Sequence, residues 1–401
     1  MLRAIVYLLY FIFAILLNSV GILIQKSINF YGVTHSQAGN LEGFKDLSIA
    51  IVSFVAGMYL PKLGYKKGIL LGLFLVLLGC ITMYFANAFW AVKVMFACTG
   101  FAFALIKVAI YALISSSSSS QEALNKFLST VESIFMVGIA TAYFVFPLFY
   151  SETYPDQWLQ IYLLLSVLIL IAMALVAKKD FTPYELFNHD ASYSGLKDQL
   201  SILRQPVIFI FAICAFLYVM TEQGIMSWLP TFNEKVLNLS EKLSVNMAII
   251  LALSIALGRY LAGNLGAKIK WIWILQACLA AAFLMIVFLL PKTEGLPVLN
   301  IQTFGDIPWI AFVFPMIGLF LAPIYPLMNA AILSVTDKDK FTQMAGILTF
   351  FSAIGGTLGS KITGVLFEKL EGGQAFYFAL IPLALLAVSL FILHKKTAHD
   401  K

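Results

Sequence analysis

The sequence predicts an all-α polytopic membrane protein of twelve transmembrane helices in two pseudo-symmetric six-helix halves. Three observations carry that prediction: the composition, the spacing of the apolar runs and a motif that recurs half a chain later. The chain has 401 residues, 61% hydrophobic and 11% charged, whereas a soluble domain carries about 25% charged residues. Mean hydropathy is +0.93. No water-soluble globule covers so much apolar surface, which excludes a soluble enzyme, a nucleic-acid binder and a disordered chain. Twelve helices of about 20 residues each would occupy ~240 positions, in keeping with the hydrophobic share.

Apolar runs fall at 4–29, 38–60, 67–87, 90–114, 126–150, 157–177, 206–230, 243–262, 270–290, 308–334, 342–367 and 373–393. The first follows Arg3 with no small-residue cleavage pattern, so it reads as a retained helix and not as a secretory signal. The fourth closes on Ser115–Ser120, read as a polar helix end and connector without chemistry of its own. After the sixth comes the one long polar interruption, 178–205, where Lys178, Lys179, Lys197 and Arg204 balance Asp180, Glu185, Asp190 and Asp198. The expected domains are therefore an N-terminal half (1–177), a cytoplasmic linker (178–205) and a C-terminal half (206–401). The runs are helices because lipid-exposed backbone must satisfy its own hydrogen bonds, and none alternates as a barrel strand does.

Net charge is +6, and in a membrane protein the placement of Lys and Arg matters more than their sum. With the N-terminus inside, 17 of the 26 Lys and Arg residues lie in or beside cytoplasmic segments and six near the outside, while Lys45, Lys107 and Lys361 fall within spans. The expected location is the cytoplasmic (inner) membrane, with both termini in the cytoplasm. Cys80, Cys98, Cys214 and Cys278 sit in apolar runs without metal-ligand spacing, as small buried side chains do.

Gly57-Met-Tyr-Leu followed by Leu63-Gly-Tyr-Lys is echoed 201 residues later by Gly258-Arg-Tyr-Leu followed by Leu265-Gly-Ala-Lys. Two similar six-helix halves meeting around a midplane site are the architecture of a rocker-type secondary transporter.

The segment Gly57-Met-Tyr-Leu-Pro61-Lys62-Leu-Gly64-Tyr-Lys66-Lys67 resembles the loop signature of the major facilitator superfamily, with Pro61 in place of an aspartate. Gln37-Ala-Gly, Tyr218-Val-Met-Thr-Glu222-Gln-Gly224-Ile-Met-Ser-Trp228-Leu-Pro230 and Ala322-Pro-Ile-Tyr-Pro326 are similar to the fucose/glucose/galactose permease group. The resemblance implies the major facilitator fold and a solute pathway. It also implies that Lys107 stands where that group has a fourth-span glutamate, Glu132 where it has a fifth-span glutamine, and Asn18-Ser-Val-Gly21 where it has a first-span acid. These departures fall on the proton-linked and sugar-binding positions.

An ionisable group within a span costs at least ~2.5 kcal/mol on insertion scales, so each is a functional candidate. Eight stand out: Glu42, Lys45, Asp46, Lys107, Glu132, Glu222, Arg259 and Lys361. Lys93, Lys126 and Arg259, near span ends, read as snorkelling groups. At about 1.5 Å per residue, Lys107 lies ~22 Å from the outer face and Glu132 ~9 Å from the inner face, which are matching depths in a ~30 Å core. They are expected to pair, either as a permanent strut or as a solute and coupling site. Glu42 and Asp46 share a helix face, and Lys361 lies in the outer half of the eleventh span. Family architecture brings the second and eleventh spans together, so Lys361 with Asp46 or Glu42 forms the expected outer gate, the alternative being that Lys45 neutralises its own neighbours. Glu222 and Trp228 carry the seventh-span motif. Asn18, Gln25, Tyr111, Asn329 and Gln343 are polar groups for solute or for helix contacts. Gly57, Lys62, Gly64, Lys66, Lys67 and Arg259 make up the cytoplasmic loop motif and its echo.

The expected function is secondary active transport of a small polar solute (a sugar, sugar derivative or organic anion) by alternating access, coupled to an ion, with the proton favoured. An exporter of a drug or metabolite with the same fold is the alternative, and a membrane-embedded enzyme or receptor the remote one. His35, His189, His394 and His399 lie outside the spans and no Walker-type loop appears, which disfavours a metalloenzyme or an ATP-driven pump. No catalysis, cofactor, metal or nucleic acid is expected; the partners are the bilayer and the solute, and the protein is expected to act as a monomer.

Overall fold

Backbone amides in hydrocarbon have no water to bond, so each segment must close its own ladder. The described residues do this with helices, apart from one isolated bridge between Leu239 and Ile301. The computed structural model describes residues 2–117, 121–181, 202–265, 270–295, 301–333, 341–370 and 372–399. The first helices are α1 (Leu2–Asn18), α2 (Val20–Tyr31), the single turn α3 (His35–Ala38) and α4 (Leu41–Leu63). Then come α5 (Tyr65–Ala86), α6 (Phe89–Ser117), α7 (Gln121–Val145) and α8 (Gln160–Lys178). Past the connector lie α9 (Pro206–Met226), α10 (Leu229–Lys235), α11 (Glu241–Met247), α12 (Ile249–Leu265) and α13 (Trp271–Leu289). A broken series, α14 (Ile310–Val313), α15 (Gly318–Leu321) and α16 (Ile324–Leu333), leads to α17 (Phe341–Lys369) and α18 (Leu380–His399).

Among the described residues, 10 helical spans are long and apolar enough to cross a bilayer, or 11 when α1 and α2 count as one. The remaining expected span is α4, a helix of 23 residues whose Glu42, Lys45, Asp46 and Lys62 lower its hydropathy. The α1–α2 axis bends by 42°. Its cause is local: Ser19 Oγ donates to the Leu16 carbonyl at 2.8 Å and Asn18 Nδ2 to the Ala14 carbonyl at 2.9 Å, side-chain bonds that compete with the helix ladder.

Contacts group the chain into two units, Met1–Leu23 with Phe44–Tyr193, and Ile24–Gly43 with Ser194–Lys401. The expected division into 1–177 and 206–401 does not anticipate that Ile24–Gly43 packs with the later helices. Most of the expected linker, 182–201, lies outside the described residues, as do Ser118–Ser120 and the Gly266-Ala-Lys268 part of the motif's echo.

In the first unit α1 packs on α6, α7 and α8, and α5 on α6 and α8. Phe13, Phe96, Tyr143, Phe146, Trp158 and Tyr162 fill its interior. Lipid tails are as apolar as these side chains, so close packing and not water exclusion holds the helices together. Gly64 opens α5 at φ 90, a backbone region that only glycine enters freely, which accounts for the loop-motif glycine. Lys66 Nζ donates to the Ala177 carbonyl at 2.7 Å, placing a cation at the C-terminus of α8, where the helix dipole favours it.

In the second unit the main seam runs between α9 and α17. Gly355 and Gly359 lie so close to the Phe216 and Met220 carbonyls that a β-carbon at either would overlap them. Small residues allow this backbone approach. The segment Ile24–Gly43 is fastened to α10 and α11 by polar bonds. Lys26 pairs with Glu241 at 2.9 Å, Gln25 Nε2 donates to Glu234 at 2.5 Å, and Asn29 Nδ2 reaches both Glu234 oxygens at 3.0 and 2.9 Å. Thr34 and Gln37 close a capping box on α3. The following ring, His35, stacks on Trp228 (centroids 6.0 Å apart, 24°) and Phe367 (6.4 Å, 13°), which themselves stack at 5.3 Å and 16°. Burial in this stack, reinforced by Lys235, holds the His35 imidazole below its ordinary pKa, while Glu368 and Glu234 act in the opposite sense.

Two outcomes follow from this packing. Gly359→Leu must force α9 from α17 and should destabilise the fold by ~1–3 kcal/mol, seen as a lower melting temperature of the purified protein. His35 is neutral in the fold with a depressed pKa, so its stabilising contribution is complete above the unfolded value of about 6.5 and is lost as pH falls below it, because only the unfolded chain takes up the proton. The melting temperature should therefore drop on acidification more steeply in wild type than in His35→Phe.

Candidate functional site

Helical spacing places Phe103, Lys107 and Tyr111 on one face of α6. Lys107 and Tyr111 lie in the last two turns of the span Phe89–Tyr111 and are exposed, the latter at 39%. Lys107 Nζ sits 5.7 Å from the centroid of the Phe103 ring, in the geometry of a cation–π contact. Phe103 packs in turn against Tyr10 (6.4 Å), Phe13 (5.8 Å) and Phe135 (6.3 Å), and Tyr10 meets Phe135 at 6.1 Å. On α7, three residues before Phe135, Glu132 is exposed. Its charge acts on Lys107, Tyr10 and Tyr111, and the two tyrosine hydroxyls interact with each other.

The expected Lys107–Glu132 pair is thus coupled electrostatically but not joined. Among the described residues no ion pair within 4.0 Å involves either group. What the sequence reading missed is the aromatic layer of Tyr10, Phe103 and Phe135. The one available signal was Phe103, four residues before Lys107.

A second cluster belongs to the second unit. Tyr218 donates to Glu222 at 2.5 Å, one turn away on α9, and its ring lies 5.7 Å from that of Tyr325. The Tyr325 hydroxyl adjoins Ser352 and Asn329, and Glu222 and Arg259 act electrostatically on both tyrosines. The Asn329 Oδ1 atom is buried without a hydrogen-bond partner. Tyr218 and Tyr325 stood inside the quoted motifs without being singled out; Ser352 gave no signal.

The expected gating residues take separate partners. Glu42, fully buried, accepts from Ser227 Oγ at 2.8 Å. Lys361 Nζ donates to the Ser36 carbonyl at 2.6 Å and hydroxyl at 2.9 Å, and the Ser36 amide donates to Glu368 at 3.0 Å. Lys361 is therefore bonded to Ser36 and not to Glu42. Asp46, in the first unit, lies 3.4 Å from Lys45.

Other candidates are engaged within the protein in this structure. Asn18 bonds within its own helix. Trp228 is buried in the ring stack, its indole N–H donating to the Ser360 carbonyl at 2.9 Å. In the loop motif Gly64 and Lys66 act as described above and Lys67 is exposed, as is Arg259 in the echo. The surroundings of Gly57, Lys62 and Gln343 lie outside the described set. No group of three His, Cys, Asp or Glu residues that could hold a metal occurs among the described residues.

The arrangement offers opposite charges beside an aromatic cluster in one unit and a carboxylate–tyrosine network in the other. Groups of this kind are able to bind and orient a polar solute.

A family model described as the Major Facilitator Superfamily matches residues 4–314. A protein described as a TsgA homolog, from Buchnera aphidicola subsp. Acyrthosiphon pisum, is 18% identical over 364 residues, covering 90% of this chain and 86% of its own. A mutant form of the nucleoside transporter NupG superposes with TM-score 0.77 at 12% identity, over 98% of this chain and 100% of the other. The E. coli fucose:proton symporter FucP, also a mutant form, gives TM-score 0.63 at 17% identity over 98% of both chains. At these identities the solved structures attest a shared fold. Since the family model takes in most of the helices, the chain belongs to the Major Facilitator Superfamily and is a multi-pass integral membrane protein.

Proposed function

We propose that the chain is a secondary active transporter that carries a small polar solute (a sugar, sugar derivative or organic anion) across the cytoplasmic membrane by alternating access, coupled to protons. One observation carries the reading: Lys107, beside the Phe103 ring, and Glu132 stand exposed instead of being buried as a closed ion pair. A strut would gain from direct contact, whereas charges held open are suited to a ligand that comes and goes. The fold neighbours described as a nucleoside transporter and a fucose:proton symporter support the solute class and the coupling ion.

In this reading Lys107 binds the solute, and Glu132 or Glu222 takes up the coupled proton. Tyr218 and Tyr325 position Glu222. Glu42, Asp46 and Lys361 act at the outer gate, where the bonds Lys361–Ser36 and Ser227–Glu42 belong to one state of the cycle. A contact made in a single state shifts the balance between states by its differential energy, and ~1.4 kcal/mol changes that balance tenfold. The protein needs no cofactor, acts as a monomer and keeps both termini in the cytoplasm.

Reconstituted protein should show saturable solute flux, and Lys107→Ala should lower it at least about tenfold, equivalent to ~1.4 kcal/mol of barrier, while the melting temperature shows the variant still folded. Wild-type flux in that variant would remove Lys107 from the pathway. In sealed vesicles an inward proton gradient should accelerate solute entry and a protonophore should cancel that acceleration. Flux indifferent to both would reject proton coupling.

A further inference from the structure

The two charges of the first-unit cluster are complementary yet apart, and their separation defines a ligand chemistry. Lys107 faces the Phe103 ring and senses the Glu132 charge, with no carboxylate within 4.0 Å among the described residues. Glu132 acts on Lys107, Tyr10 and Tyr111 and likewise enters no ion pair. A ligand that gives an anion to the ammonium and a donor to the carboxylate satisfies both at once, through charge-assisted bonds roughly twice as strong as neutral ones. A neutral polyol offers Lys107 only dipoles. A phosphate, carrying about −1.5 to −2 charge, is repelled by Glu132 more strongly than a single carboxylate is, so the carboxylate is the better anion for one cation beside one carboxylate. Beside the ammonium, the Phe103 ring, met edge-on by the buried Tyr10 and tilted against Phe135, offers an apolar face for the carbon skeleton.

Resting on the transport reading above, we propose that the solute is a small carboxylate bearing a hydrogen-bond donor, a hydroxyl or an ammonium, a few atoms away. The carboxylate binds Lys107, the donor binds Glu132 and the skeleton lies against the Phe103 ring. Among sugars and their derivatives this selects the acids over the neutral forms.

Thermal stabilisation of the purified full-length protein tests this, because a ligand raises stability according to its concentration over its dissociation constant. The probes are glucuronate against glucose, which share a skeleton, and lactate and alanine against propionate, which lacks the donor. The expected result is stabilisation by glucuronate, lactate or alanine with none by glucose or propionate; lactate against alanine shows whether the donor is a hydroxyl or an ammonium. Lys107→Gln should weaken that binding at least about tenfold and Lys107→Arg should retain it, with ligand-free melts run alongside to show that each variant is folded. Glu132→Gln should reduce the preference for lactate or alanine over propionate. Glucose stabilising as well as glucuronate, no response to any donor-bearing carboxylate, or unchanged affinity in folded Lys107→Gln would each overturn the assignment. Failure of the transport reading is a separate result: a carboxylate that stabilises the protein by way of Lys107 but is not moved by proteoliposomes.

Discussion

A charge in hydrocarbon has no water to answer it, and this constraint orders most of the structure. Backbone amides meet it by forming helices. Side chains meet it in three ways in this chain. Some bond to their own helix, as Asn18 and Ser19 do. Some reach a hydrogen-bond partner on another element, as Glu42 reaches Ser227 and Lys361 reaches Ser36. Lys107 and Glu132 do neither: they stay exposed and are coupled only through their fields. That third behaviour is the basis of the proposed solute site.

The two units handle their carboxylates differently. In the first, Glu132 faces a cation and two tyrosine hydroxyls across an open surface. In the second, Glu222 is engaged by Tyr218, and the neighbouring Tyr325 hydroxyl adjoins Ser352 and Asn329. A carboxylate already held by a tyrosine suits proton uptake that rearranges a hydrogen bond, and an open carboxylate suits ligand contact. Both remain within the proposed transport cycle.

The segment Ile24–Gly43 shows how a helix end becomes a fastening. Gln25, Lys26 and Asn29 occupy its first turns and engage Glu234 and Glu241. Ser36 follows, held by Lys361 and Glu368, and His35 enters the stack with Trp228 and Phe367. These are polar and aromatic contacts, unlike the interlocked glycine seam of α9 and α17.

The sequence by itself determined the helical class, the positions of the spans and the family, because apolar run length and a glycine–lysine loop signature are local properties fixed by bilayer thickness and backbone geometry. It also marked Lys107, Glu132 and Glu222, since the cost of burying charge is independent of what lies across the gap. Partners were decided only by tertiary structure. Trp228 is equally a stacking platform or a core ring until Phe367 and Ser360 are seen beside it. Lys361 is equally a gate to an acid or a donor to Ser36 until the chain between α2 and α4 is placed. Lys107 and Glu132 share an expected depth in either arrangement, and only the positions of α6 and α7 decided that they stand apart. Depth along a helix can be counted from sequence because the rise per residue is constant. Rotation and approach between helices cannot be counted, because they are set by packing among residues far apart in the chain.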